Sequence, residues 1–587
     1  MKKTKFLAIL FFAFFVACSG NNSEMYDYPD DENGSGKTDN DKDNEKADSE
    51  ISDEDAENND GGDTENNDGG DTQTGDDDAD SSDSTDDNDD PDTVSDNDGI
   101  PSDSDSDIEN DDDWEEIPDI EPDLGTAVYV DKYNGDDSNN GTMTAPVKTI
   151  AKAVQLSNPL ERNLIVLAWG VFDNMPELKS GVSIFGGYKN RSGTWVEDEE
   201  LPVIQVPASA WKLEKLQKIT LSKIRIASAS DTNPGGSSIG LILDRCREIT
   251  LKQIEIETAD GTDGTDGENG VKGDNGGNGA DGISGCEATS GVFASIVCET
   301  SCTVTPVGAA GGSSTCGANG GKGGNAGQAE SAGSDGANGA GSTTNGGKGG
   351  KEKYWSDIKN ECSESSSVSV NGKDGLEGCN GADGDGGKSY GTFAVSGYSA
   401  SDGVDGQDGE NGQGGGGGGG GKGGTKWCNS YGSSGGGGGA GGCGGNGGKG
   451  GKGGGASIPL MIFASENIFL ESPSFKTGKG GKGGNGGKGG KGGLYGFGGS
   501  AGTYGGKGEQ DDGGCGGWGG DGGLGGIGGD GGGGGGGPTV CVVYSSDSTL
   551  YNSTSMKCVK GTPGNGGSSN ANPGETGYSA NTLGFVL

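Results

Sequence analysis

Apolar and polar residues alternate in the same phase in two stretches. Ile219, Leu221, Ile224 and Ile226 in Lys218–Ile226 recur as Ile249, Leu251, Ile254 and Ile256 in Glu248–Ile256, an offset of 30 (249 − 219). A period of two puts one face of a strand inside, and a repeat of this length marks stacked coils that bury their inner faces against one another. The pattern returns 219 residues on without a gap. Leu241–Gly261 aligns with Leu460–Gly480, setting Ile249 on Ile468, Leu251 on Leu470, Ile256 on Phe475 and Thr258 on Thr477. A looser copy starts at Thr539 with Val540, Val542, Val543, Leu550 and Val559, and the weakest covers Thr392–Val395. Upstream, Ala127–Asp131 reads as a strand and Asn134–Asp137 as a polar turn. A short amphipathic helix follows, with Ile150, Ala153 and Val154 on its apolar face.

Between these stretches glycine takes a period of three. It occupies every third position nine times in succession over 261–285 and eleven times over 478–508. Over 514–535 the unit is Gly-Gly-x, with Cys515, Trp518, Asp521, Leu524, Ile527 and Asp530 as x. Collagen shares the triplet but needs roughly 15–20% proline or hydroxyproline, and these tracts hold almost none. The phase predicts a polyglycine II-like strand of three residues per turn and about 3.1 Å rise, whose backbone groups must pair with neighbouring strands. A flexible linker is the alternative, but it has no use for strict triplet phase. The glycine tracts then read as long insertions into a stack of β coils.

Composition narrows the chemistry. The 587 residues include 132 glycines, only 28% hydrophobic residues and no histidine, with a net charge of −50. Without histidine there is no Ser–His or Cys–His pair and no His-containing metal site, and no metal or cofactor site is expected. The match of Gly432-Ser433-Ser434-Gly435-Gly436 to G-x-S-x-G is compositional. Nucleic acid is excluded as a partner because phosphate backbones need clustered cations. Most of the charge lies in residues 21–123, with 44 Asp or Glu against 3 Lys. Such a tract stays extended and unpacked. Within it, Gly36-Lys37-Thr38 lacks the leading glycine of a phosphate loop, and Asp96–Gly99 supports no more than weak calcium association.

Thirteen cysteines remain to be placed. Setting Cys18 aside leaves twelve, an even number that suits disulfides in an exported chain. The candidates are Cys286, Cys298, Cys302, Cys316, Cys362, Cys379, Cys428, Cys443, Cys515, Cys541 and Cys558, with Cys298–Cys302 and Cys541–Cys558 as the favoured local pairs. Cys246 lies in a strand-rich coil and reads equally well as a bridge partner or as a buried thiol.

Three resemblances follow. Lys2, Lys3 and Lys5 precede the apolar run Phe6–Ala17, too short to span a bilayer. Phe15-Val16-Ala17-Cys18 resembles the lipobox of bacterial lipoproteins. The resemblance implies cleavage after Ala17, a diacylated Cys18 as mature N-terminus, and anchoring at the outer membrane or cell surface of a Gram-negative bacterium. Ala127–Asp131, Asn134–Asp137, Gly141-Thr142 and Ala145–Val154, followed by Gly181–Tyr188 and Trp195, resemble the start of pectate-lyase-like, right-handed parallel β-helix proteins of the DUF1565 type. The glycine tracts resemble PGRS-type regions of bacterial surface proteins.

The expected organisation is a signal peptide over 1–17, an acidic disordered tether over 18–123 and an N-terminal β-helix over 124–260. Glycine-rich insertions over 261–457, a returning coil over 458–477, a glycine triplet region over 478–537 and C-terminal strands with a cap over 538–587 complete it. The expected function is a non-catalytic, structural or adhesive surface lipoprotein, whose partners are the membrane, through its lipid, and surface glycans or other cells. The alternative is a protein that binds or degrades polysaccharides, as similar β-helices do. The five arginines, Arg162, Arg191, Arg225, Arg245 and Arg247, stand in no lyase-like motif.

Overall fold

Thr149 opens the only helix among the described residues. Its hydroxyl accepts the Lys152 backbone N–H at 3.1 Å, starting α1 (Ile150–Leu156) after β1 (Val128–Val130). Helix α1 buries Ile150, Ala153 and Val154 against the start of the strand stack. The computed structural model describes residues 123–173, 175–286, 305–350, 369–424, 430–503, 513–552 and 556–586. All of them belong to one compact unit, Glu115–Leu587. Next come β2 (Leu164–Ala168), β3 (Val171–Phe172) and β4 (Ser183–Arg191). Strand β4 doubles back as an antiparallel hairpin with β5 (Thr194–Glu197), and β6 (Val203–Val206) follows.

From there the chain repeats a three-strand coil. The first is β7 (Ser209–Glu214), β8 (Gln217–Ser222) and β9 (Arg225–Ser228), and the second is β10 (Ser238–Asp244), β11 (Arg247–Lys252) and β12 (Glu255–Thr258). After a hairpin, β13 (Thr392–Ala394) and β14 (Gly397–Ser399), the third coil is β15 (Ser457–Phe463), β16 (Glu466–Glu471) and β17 (Ser474–Lys476). The fourth is β18 (Thr539–Ser545), β19 (Leu550–Asn552) and β20 (Lys557–Val559), and β21 (Ser579–Phe585) ends the series.

Each coil gives one strand to each of three sheets, in the orders β7-β10-β15-β18-β21, β1-β2-β4-β8-β11-β16-β19 and β3-β6-β9-β12-β17-β20. Pairing between coils is parallel, and the repeats read from the sequence are its registers. Ile219 faces Ile249, Ile249 faces Ile468 and Ile256 faces Phe475. Looser repetition still holds for the fourth coil, where Leu460 faces Val542 and Ile468 faces Leu550. Inward residues of all three sheets share one core cluster, including Leu213, Leu243, Leu251, Ile226 and Phe475. Each such side chain contributes roughly 1.5–3 kcal/mol of hydrophobic stabilisation.

The corners also repeat. Lys215, Lys218 and Lys223 have positive φ, as do Arg245, Glu248 and Gln253, and Ala464, Asn467 and Ser472. These sets are spaced by 30 and then by 219, so the first three coils turn at equivalent left-handed backbone positions.

One expectation fails. Thr392–Val395 does not form a coil. Strand β13 pairs antiparallel with β14 in a sheet of its own, with Phe393 facing Tyr398. Phe393 packs with Ile239, Met461, Phe463 and Val543 on the outward face of the first sheet, beside a partly buried Tyr398. The hairpin covers that face because β10 and β15 are apolar on both sides, with Leu241, Leu243, Leu460 and Ile462 in the inner core and Ile239, Ile242, Met461 and Phe463 in the outer cluster.

The glycine tracts all leave and rejoin at one corner of the coil, between β12 and β15, between β17 and β18, and between β20 and β21. Nine backbone N–H groups, every third from Gly261 to Gly285, donate to carbonyls spaced by three from Lys479 to Thr503, at 2.7–3.0 Å. Gly481 to Gly502 donate in threes, in the opposite sense, to Gly455 down to Ser434. The interior is most regular at Gly414–Gly421, which is buried throughout. Gly414, Gly415 and Gly416 donate to Ala340, Gly439 and Lys373 at 3.0, 2.9 and 2.9 Å. Gly417, Gly418 and Gly419 repeat the cycle on Ala337, Gly436 and Val370.

Candidate functional site

At the corner where the β1-containing sheet meets the β3-containing sheet, consecutive turns stack. Val203 donates to Gly170, Arg225 to Pro202 and Glu255 to Ile224, at 2.8–2.9 Å. This corner carries a cleft of about 730 Å³ lined by Trp169, Leu201, Lys223 and Gln253, with Glu197–Glu200 as a wall and Arg225 and Glu255 along one flank.

The loop after β1 lies beside the lining residue Trp169. The Asp131 carboxylate is buried and accepts the backbone N–H groups of Tyr133 and Asn134 and the side-chain amides of Asn134 and Asn190, at 2.9–3.0 Å. Burial pushes its pKa up, and these hydrogen bonds outweigh that push and hold it below the usual value. At Gly170 a Cβ would come within 3.0 Å of the Lys132 side chain, so glycine lets this loop lie against the corner. Tyr133 is thereby set on Trp169, with ring centroids 5.5 Å apart and planes inclined by 28°. Both rings stay in water, Trp169 41% and Tyr133 60% exposed.

The wall hangs from β4. Gly187 has φ +76°, and its carbonyl accepts the Asp198 N–H at 2.9 Å. A Cβ at Gly186 would strike the Lys223 carbonyl and the Pro202 ring, so the close crossing of the hairpin base over the corner requires glycine there. Asp198 accepts the Glu200 backbone N–H at 3.0 Å, which holds its carboxyl below the usual range. Lys223 reaches Glu197 at 3.2 Å, and Arg225 grips one oxygen of Glu255 through Nε at 2.7 Å and Nη2 at 2.6 Å. The lining therefore combines an indole, an amide, and five carboxylates against two cations. Such a surface can stack an apolar ring face and accept hydrogen bonds from hydroxyls around it.

The cysteines divide. Cys541 bridges Cys558, as the sequence favours, and Cys316 bridges Cys443. Cys286, Cys379 and Cys515 are disulfide-bonded as well. Cys246 is a buried free thiol at the corner after β10, with Sγ 3.3 Å from the Leu213 carbonyl. Cys18, Cys298, Cys302, Cys362 and Cys428 lie outside the described residues. Ser433 and Ser434 are buried, and their hydroxyls accept the backbone N–H groups of Gly516 and Ile283, a structural use of the G-x-S-x-G string. Arg225 and Arg245 are surface charges paired with Glu255 and Glu214. Among the described residues no helix is long and apolar enough to cross a membrane, and no group of three His, Cys, Asp or Glu converges as a metal site.

The cleft is invisible in the sequence as a motif. Its members are spread from Trp169 to Glu255, and only the stacking of corners gathers them. The available signal is the 30-residue repeat, which pairs Ser222 with Lys252 and makes Lys223 and Gln253 equivalent corner residues. No protein-family model, no curated protein and no solved structure matches the chain.

Proposed function

We propose that this chain is a non-catalytic lipoprotein of the bacterial surface, anchored through a lipidated Cys18 and held off the outer membrane by its acidic 18–123 tether. On this reading the coils form a right-handed parallel β-helix of the DUF1565 type. The PGRS-like glycine tracts are insertions of polyglycine II type that widen it into a stiff display surface with a structural or adhesive role. The observation that carries the reading is the three-way donation from Gly414, Gly415 and Gly416. A helix with three residues per turn and no internal hydrogen bonds must direct its amides in that way. Rigidity of this kind suits a scaffold.

Cell fractionation and external proteolysis of intact cells test it, comparing the parent chain with Cys18→Ala. The parent should sediment with outer membranes and be cut from outside within the tether, and the variant should lose membrane association. Unchanged association of the variant, or a tether protected in intact cells, overturns the reading.

A second reading, polysaccharide binding, is favoured by the corner cleft, whose lining includes the exposed Trp169 that stacks on Tyr133.

A further inference from the structure

We infer that the corner cleft binds a glycan chain free of acidic groups, by stacking a sugar ring on Trp169. The inference rests on the polysaccharide-binding reading and gives it a ligand class.

Trp169 belongs to none of the three buried clusters, and its only ring partner among the described residues is the still more exposed Tyr133. Exposure alone does not single out an indole, but here two stacked exposed rings, Trp169 and Tyr133, adjoin a concave polar cleft, and that combination offers a partner a flat apolar surface with a hydrogen-bonding rim. The partner must be flat and apolar on one side and rich in hydrogen-bond donors at its rim, because the indole is bordered by carboxylates and the Gln253 amide. A pyranose ring meets both conditions, with C–H groups on its face and hydroxyls at its edge. Leu201, Lys223 and Gln253 follow Trp169 on successive turns. Strands lie about 4.8 Å apart, so these three steps cover roughly 14 Å, enough for a short run of sugars.

Charge then selects the class. Lys223 is engaged by Glu197 and Arg225 by Glu255, which leaves no lining cation free to receive a uronate. Glu199 and Glu200 line the same wall with no ion pair among the described residues. A carboxylated sugar would meet like charge at short range, whereas a neutral one would find acceptors.

The test uses the purified full-length chain in detergent, with saturation-transfer NMR titrations of cellohexaose, chitohexaose and hexagalacturonate. A neutral hexasaccharide should bind at least tenfold tighter than hexagalacturonate. Trp169→Ala should weaken that binding at least tenfold, and Trp169→Phe should recover part of it. Glu199→Gln with Glu200→Gln should narrow the gap to hexagalacturonate. Thermal melts matched to the parent establish that the variants are folded, which the surface position of Trp169 favours. Binding unchanged in Trp169→Ala, hexagalacturonate as tight as the neutral probes, or no binding by any probe overturns the inference. None of these results alters where external protease cuts the chain, so the surface-display reading stands or falls separately.

Discussion

Asp263 Oδ1 accepts the backbone N–H of Lys482 at 2.7 Å, across 219 residues of sequence. The same separation sets Leu241 beside Leu460 in the first sheet and Ile249 beside Ile468 in the second. One register therefore runs from strand pairing into the glycine tracts without a slip. The bond recurs from Asp260 to Lys479, Asp266 to Asn485, Asn269 to Lys488, Asn275 to Leu494, Asn278 to Phe497 and Asp281 to Ser500. A second ladder, at a separation of 147, joins Asn371, Asp374, Asn380 and Asp383 to Trp518, Asp521, Ile527 and Asp530. At these eleven positions an Asp or Asn side chain supplies an acceptor to a backbone N–H of the neighbouring glycine strand.

These side chains act as acceptors, so Asp263→Ala should cost about 0.5–1.5 kcal/mol, the range for one net hydrogen bond, while Asp263→Asn should cost much less. Chemical denaturation of the two variants measures the difference. Equal losses would show that charge, and not the accepted bond, sets the value of the position.

Ile249, Leu251 and Ile256 are legible in the sequence as a register because each coil must repeat its inward positions on top of the last. The glycine period is legible for the same reason, since close approach recurs once per turn. The ladder carries a signal too: Asx directly before glycine, as in Thr262-Asp263-Gly264 and Thr265-Asp266-Gly267. It escapes a reading that asks only where glycine falls. Phe393 misleads because an alternating tripeptide looks the same in a coil as in a covering hairpin, and only the apolar outer face of the first sheet decides between them. Trp169 is illegible because its partners come from other turns of the stack.

The number of glycines per triplet reports how many faces of a segment other backbones cover. Residues 261–285 keep one, except where Gly277 meets the Ser313 backbone, 514–530 keep two, and Gly414–Gly421 keep all three and are buried throughout. A Cβ at Gly420 would come within 3.0 Å of the Asn325 carbonyl, and one at Gly417 would strike the Lys322 carbonyl, with backbone atoms on both sides unable to yield. Gly420→Ala should therefore cost on the order of 1–3 kcal/mol or more. Lys488→Ala, at an exposed third position of its triplet, should stay within about 0.5 kcal/mol. Denaturation midpoints of the two variants compare them directly. Equal tolerance at both sites would mean that Gly420 is not enclosed.

Cys246 gives a prediction with a pH sign. Burial between the turns after β7 and β10 pushes its thiol from an ordinary 9.0 up to about 11. The native thiol should resist alkylation at pH 8, where its thiolate is scarce and out of reach, and react at once after unfolding. The folded state prefers the protonated form. Stability is then complete below about pH 9, where the unfolded thiol begins to ionise, and falls as pH rises towards 11 while the folded thiol keeps its proton. Two pK units correspond to about 3 kcal/mol at most. Cys246→Val should remove this part of the alkaline loss while leaving that of the surface lysines. Unfolding followed from pH 8 to 11 in parent and variant decides it. Parallel curves would mean that the thiol ionises as easily in the folded protein as outside it.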